Sequence, residues 1–371
     1  MPERITEHRQ VLRLLMTADA VGGVWSYALE LCRALAIHRV QVLLAIMGPS
    51  PSSLQRAEAA SLPNVVMIDQ PLKLEWMEDC WDDVARAGDW LLSLEQRWKP
   101  DLIHLNGYTH AVLPFVAPKL IVAHSCVLSW WNAVYGSPAP DHWSRYAVQV
   151  QTGLRAASFV VAPTLAMLNA LRHHYEFATP AQVIPNGIAS WVPSAKKSAF
   201  IAAVGRFQDQ AKNFAAIQAI ASRLNWPIVA IGDTPSDDDH NLGGNGPLIS
   251  TGHLGPAEVR DYLASAAIFV STAVYEPFGL SILEAALSGC ALVLNDIPSL
   301  RENWNGAAVF VNARDCDQLE RALTLIIQSQ DQRRAFADRA RSRALSFSAT
   351  RCASTYLGLY QSVLADYRSE L

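Results

Sequence analysis

Short apolar runs recur along this chain with helix-period segments between them, and that alternation limits the fold more than any other feature. Val11–Thr17, Val40–Met47, Val65–Ile68, Asp101–Leu105 and Leu120–Ala123 read as buried strands in the first half. Ala199–Val204, Pro227–Asp233, Ala266–Ser271, Ala291–Asn295 and Gly306–Val311 repeat the pattern in the second. Strands that alternate with helices form βαβ units, hence parallel sheets with ligands at the strand C-termini. A length of 371 residues, of which 51% are hydrophobic, is enough for two such sheets with separate cores. The predicted class is therefore α/β, with two Rossmann-like parallel-sheet domains.

Composition removes several alternatives. A formal charge of −4 argues against electrostatic nucleic-acid binding. The six cysteines are scattered, with neither a C-x-x-C pair nor zinc spacing, which suits reduced thiols in a cytoplasmic protein. Met1–Gln10 is polar and does not resemble a signal peptide. No run reaches the ~20 apolar residues that a membrane span needs, which leaves peripheral association open.

The richest stretch is Val274-Tyr-Glu-Pro-Phe-Gly-Leu-Ser-Ile-Leu-Glu284, directly after an apolar strand. Leu280, Leu283 and Leu287 give it helical spacing, and Gly289 stops the helix. The backbone amides of Phe278, Gly279 and Leu280 then open a helix N-terminus, which attracts anions. Gly279 lets a ligand approach closely, and the carboxylates Glu276 and Glu284 flank the site. A second anion-binding device lies in Gly205-Arg-Phe-Gln-Asp-Gln-Ala-Lys-Asn213, between a strand and a helix beginning near Phe214. It places Arg206 and Lys212 where a diphosphate would need cations. Gly22 and Gly23 sit in a third strand-to-helix loop, either an ordinary turn or a phosphate approach.

These strings together resemble the retaining glycosyltransferases of the GT-B type, group 1 and family 4, with their E-x7-E motif. The resemblance covers nearly the whole chain and is strongest in the second half. It implies a GT-B fold whose two domains face an interdomain cleft. The expected division is residues 1–190, a linker at 191–198, 199–345, and a final helix within 346–371 returning to the first domain. It implies hexose transfer from a nucleotide-diphosphate sugar, UDP-glucose first and GDP-mannose next, to a hydroxyl on a saccharide, lipid carrier or small aglycone. By the same resemblance, Arg206 and Lys212 grip the diphosphate, Glu284 holds ribose hydroxyls and Glu276 the transferred sugar. Gly22 and Gly23 approach the phosphate, while the backbone at His253 and Leu254 holds the base. His124, at the end of the strand Lys119–Ala123, contacts the sugar near the reaction centre. Neither a cofactor nor a metal ion is expected beyond the sugar nucleotide.

Other segments carry weaker expectations. Trp130, Trp131, Asn132 and Tyr135, with Trp143 and Tyr146 beyond them, suit either stacking against an acceptor or packing against the sheet. His104 and Asn106 are expected in the pocket wall, and Thr164 as a helix N-cap. I-P-N-G at Ile184–Gly187 reads as a turn, and Thr234–Gly246 as a solvated acidic loop. Asn213 stands where the family commonly has glycine, so its local turn should differ. A sugar-nucleotide epimerase, a phosphorylase or an inactive sugar-nucleotide-binding regulatory subunit are the alternatives. The four intact groups Arg206, Lys212, Glu276 and Glu284 weigh against the last.

Overall fold

A computed structural model describes residues 11–192, 195–234 and 247–370. Most of the acidic loop and two residues of the expected linker, 193 and 194, fall outside them. Seven strands form the first sheet: β1 Leu12–Asp19, β2 Val40–Met47, β3 Val65–Asp69, β4 Leu102–Leu105, β5 Lys119–Val122, β6 Phe159–Ala162 and β7 Ala181–Val183. Six form the second: β8 Ser198–Val204, β9 Ile228–Ile231, β10 Leu248–Ser250, β11 Ala266–Ser271, β12 Ala291–Asn295 and β13 Ala308–Val311. All neighbouring strands pair parallel, in the orders β3-β2-β1-β4-β5-β6-β7 and β10-β9-β8-β11-β12-β13. Both orders reverse beside their first strand, between β1 and β4 and between β8 and β11. Those reversals create the crevices where open α/β sheets bind ligands.

Helices cover both faces of each sheet, because strands buried on two sides present apolar residues in both directions. Leu14, Met16, Val42 and Leu44 point into one core of the first sheet, and Leu15, Leu43 and Ala45 into the other. This is the period-two division of a strand. The final helix, Ala349–Glu370, belongs to the first of these cores. Cys352, Ala353, Tyr356, Leu359, Tyr360 and Val363 recur at helical spacing and pack beside Tyr27 and Leu31 of the helix Gly23–Leu35. Tyr27 donates its hydroxyl to the Tyr356 hydroxyl at 2.6 Å.

The chain thus crosses between the sheets twice, and the two crossings touch. Ile188 forms a parallel bridge with Ser348, its N–H donating to the Phe347 carbonyl and its carbonyl accepting from Ala349. A Cβ on Gly187 would stand 2.3 Å from the Ser348 carbonyl oxygen, so only glycine fits there. The I-P-N-G string therefore has a packing reason as well as a turn reason.

One sequence expectation needs correction in detail. His104 is not pocket wall: it is fully buried, with Nδ1 2.8 Å from the Tyr360 hydroxyl of the final helix. It points to the sheet face that this helix covers, whereas Asn106, two residues on, lies beyond the strand end. For Trp143 and Tyr146 the packing alternative holds, because both pack on the first domain's second core. Among the described residues, no helix is long and apolar enough to cross a membrane.

Candidate active site

The second-domain wall is built from two loops at the C-terminal ends of β8 and β11. After β8 the chain passes Gly205 and Arg206 and closes a 3-10 turn at Gln210–Lys212. Asn213 then takes a left-handed conformation with φ 50°, starting the helix Phe214–Ala221. Asparagine tolerates this region better than other non-glycine residues. Asn213 thus holds a left-handed turn position that glycine also adopts readily. Lys212 Nζ donates to Glu276 Oε2 at 2.7 Å, with both side chains mostly buried. Arg206 is exposed, and its guanidinium has no hydrogen-bond partner among the described residues.

The loop after β11 is fixed through its carbonyls. Ser299 donates to the Glu276 carbonyl at 2.6 Å and Thr164 to that of Pro277 at 2.9 Å. Asn303 donates to the Phe278 carbonyl at 3.4 Å. Thr164 is also the expected N-cap, accepting from the Met167 N–H. Phe278 turns its ring into the core against Phe347, so only its backbone faces outward. Gly279 has φ 87°, and a Cβ there would meet Ile282 Cδ1 at 2.7 Å. The helix Leu280–Leu287 follows with no side chain capping its N-terminus. Its first amides are left for an anion.

Glu284 lies one turn into this helix and has no hydrogen-bond partner for its carboxylate among the described residues. Burial pushes it up from 4.5 to about 7; Glu30 from the first domain adds to the rise and Arg260 opposes it. His253 and Leu254 follow β10, beside the bridge between Gly232 and Gly252. His253 is exposed, and Leu254 packs on the second-domain core.

The first-domain wall meets these loops directly. Gly22, with φ 90°, stands where a Cβ would lie 3.8 Å from the Arg206 guanidinium. A Cβ on Gly23 would lie 3.9 Å from Leu280 Cδ1. The helix Gly23–Leu35 likewise lacks a side-chain cap. Two bare helix N-termini thus converge from opposite domains, with Arg206 beside them and Lys212 anchored on the adjacent loop. Gly22 and Gly23 therefore approach Arg206 and Leu280 across the domain boundary, and Lys212 holds Glu276 beside Gly279.

Sequence reasoning missed Asp19, at the end of β1. It is 8% exposed, accepts from the Val21 N–H at 2.8 Å, and is pushed up to about 6 by burial, against the pull of Arg206. The available signal was a carboxylate ending an apolar strand just before the glycine pair. Beside it, Asn106 donates its amide to the Thr17 carbonyl at 2.7 Å, which leaves Oδ1 as an acceptor. His124 Nε2 lies 2.8 Å from that oxygen, so the network assigns the ring proton to Nε2. Nδ1, with no hydrogen-bond partner among the described residues, is then the acceptor. Burial holds His124 down at about 3, and Tyr27 packs edge-on at 4.4 Å. This histidine is neutral at physiological pH.

The aromatic helix Val127–Tyr135 lies farther along the cleft. Trp131 and Tyr135 pack at 4.5 Å and remain partly exposed, as does Asn132. Trp130 donates its indole N–H to Asp209 Oδ1 across the domain boundary at 3.0 Å. Arg314 reaches back from the second domain to the Ala133 carbonyl at 3.0 Å. Glu302 was also missed. Its carboxylate accepts from the Leu165 and Ala166 amides at 2.7 and 2.9 Å, capping a helix of the other domain.

Comparison with known proteins agrees with this architecture. Residues 21–190 match the model of Glycosyltransferase Family 4, and residues 190–343 that of Glycosyl transferases group 1. The alpha-maltose-1-phosphate synthase of Mycolicibacterium smegmatis is 26% identical over 298 residues, 69% of this chain and 76% of that protein. The O-antigen chain mannosyltransferase B of Escherichia coli is 28% identical over 150 residues, 38% of each chain. Among solved structures, sucrose-phosphate synthase from Thermosynechococcus elongatus superposes with a TM-score of 0.80 at 17% identity, covering 96% of this chain and 100% of that one. Anabaena HepE, solved with UDP and glucose, gives 0.73 at 16% identity, covering 95% and 100%. With both halves matched in order and two parallel sheets around one cleft, the chain belongs to the group 1 glycosyltransferases of the GT-B type.

Proposed function

We propose that the protein transfers a hexose from a nucleotide-diphosphate sugar to a hydroxyl acceptor with retention at the anomeric carbon, UDP-glucose being the first donor to test and GDP-mannose the next. The observation that carries this reading is the convergence of two uncapped helix N-termini with Arg206 and Lys212. Such a cluster stabilises a diphosphate most as its bond to the sugar breaks and charge builds on the leaving oxygen. Glu284, desolvated and unpartnered, is suited to accept two ribose hydroxyls. Glu276, held by Lys212 and by its own carbonyl, is placed to accept hydroxyls of the transferred sugar. His124 offers a neutral Nδ1 acceptor from the other wall.

In the proposed step the bond between the anomeric carbon and the phosphate oxygen breaks, and the acceptor oxygen bonds to that carbon on the same face. The acceptor's proton passes to the departing phosphate oxygen. Arg206, Lys212 and the helix amides carry the charge work, so turnover should survive chelation of divalent ions. The names of the relatives fit either donor, one being a mannosyltransferase and another a protein solved with UDP and glucose. Trp131, Asn132 and Tyr135 are the proposed acceptor surface, and His253 and Leu254 the backbone seat of the base.

Calorimetric titration with UDP, GDP and ADP, without added metal, tests the reading. Selective binding of one nucleotide supports it and names the base. Absence of binding by all three would overturn the donor-site assignment and favour a regulatory role.

A further inference from the structure

Four tyrosine hydroxyls surround the short segment that follows His124. Tyr108 donates to the Ser125 carbonyl at 2.7 Å, Tyr146 accepts from the Val127 N–H at 3.3 Å, and Tyr175 lies 3.2 Å from Cys126 Sγ. These three belong to the first domain. The fourth does not. Tyr275 comes from the donor loop of the second domain, yet its ring packs on the first domain's core. Its hydroxyl accepts from the Cys126 N–H at 3.0 Å and lies 3.5 Å from both Ser125 Oγ and Met167 Sδ.

The residue after Tyr275 is Glu276, and the residue two before Cys126 is His124. One phenolic oxygen therefore joins the segment carrying the proposed sugar-binding carboxylate to the segment that begins with His124. The neighbouring carbonyls of Glu276 and Pro277 are separately pinned by Ser299 and Thr164. With its backbone so fixed, the loop can transmit the position of the Tyr275 hydroxyl to Glu276 with little slack.

We propose that Tyr275 is a positioning residue that sets the distance between Glu276 and His124 across the cleft. It touches neither the diphosphate cluster nor the Glu284 end of the helix. Its loss should spare nucleotide binding and slow the step that needs both walls. This inference rests on the sugar-transfer reading above.

The test compares full-length wild type with Tyr275→Phe, which keeps the packed ring and removes only the oxygen. Calorimetry with UDP and GDP gives nucleotide affinity. Release of nucleotide from UDP-glucose and GDP-mannose, with water as acceptor, gives turnover. Leaving the Cys126 amide unpaired should lower turnover roughly tenfold, with nucleotide affinity within about twofold of wild type. Unchanged turnover in the variant would overturn the proposal. So would a fall in nucleotide affinity and thermal midpoint that matches the fall in turnover, since that marks a merely structural residue. Wild type that releases no nucleotide from either donor overturns the sugar-transfer reading itself, and the inference with it.

Discussion

The two walls of the cleft are made differently. The second-domain wall takes its chemistry from two loops, one holding Arg206 and Lys212 and the other Glu276 to Glu284, each read off a contiguous string. The first-domain wall takes Thr17, Asn106 and His124 from three strand ends, the first two 89 positions apart. Buried tyrosines and the final helix hold those strand ends. An anion is recognised largely by backbone dipoles and fixed cations, which a short motif can supply. Hydroxyl groups are recognised by side chains at set distances, and those distances come from the whole fold.

That contrast can be broken by substitution. Glu276→Gln keeps an oxygen for Lys212 and removes the charge, so turnover should fall about a hundredfold or more while nucleotide affinity holds. Equal loss of both would place Glu276 in nucleotide binding. Lys212→Ala removes a charge-assisted contact worth about 1.5–3 kcal/mol, a roughly ten- to hundredfold loss of nucleotide affinity by calorimetry. Intact affinity would remove Lys212 from the diphosphate site. On the opposite wall, His124→Ala should leave that affinity alone and slow turnover about tenfold. If it instead weakens UDP or GDP binding, the two walls do not divide the work as described.

A pH titration sharpens the comparison further. Burial raises Glu284 from 4.5 to about 7, so the fold favours its neutral form. The stability this group contributes is present below about 4.5 and is lost as pH rises through about 7. Ribose hydroxyls donating to the carboxylate favour the charged form, so nucleotide affinity should rise several-fold through the same window and level off above it. Glu284→Gln should flatten both curves, and an undiminished pH dependence in that variant would assign it to another group, Asp19 first. The smallest effect is reserved for Trp131→Ala. Its ring is partly exposed, so stability should change by about 0.5 kcal/mol or less in thermal unfolding, while the choice of acceptor changes. A large loss of stability would make the aromatic cluster structural.

Much of this was legible in the residues. Placement of most strands followed from short apolar runs, and parallel pairing from the helices between them, because each is a local consequence of burial on two faces. The half-buried three-residue strands β7 and β10 left no such run and were not read. The strings around Arg206 and Glu276 announced anion sites through glycine, cation and helix-start signals within a dozen residues. Asp19, Tyr275 and Glu302 were not legible. Asp19 looks like any polar strand end, Tyr275 like any aromatic beside a loop, and Glu302 like a solvated helix residue. Each acquires its place only when the other domain arrives: Arg206 opposite Asp19, the Cys126 amide under Tyr275, the Leu165 and Ala166 amides at Glu302.

His104 and Trp130 show the same limit in the other direction. Sequence put His104 in the pocket wall and left Trp130 between stacking on an acceptor and packing. The fold gave His104 to the final helix and bonded the Trp130 indole to Asp209, in the loop that carries Arg206 and Lys212. The sequence by itself determined two parallel sheets and an anion-binding wall, because those depend on periodicity and on backbone geometry encoded over a few residues. Only the tertiary structure decided which side chains face one another across the cleft, because such contacts join residues far apart in the sequence whose meeting no local pattern records.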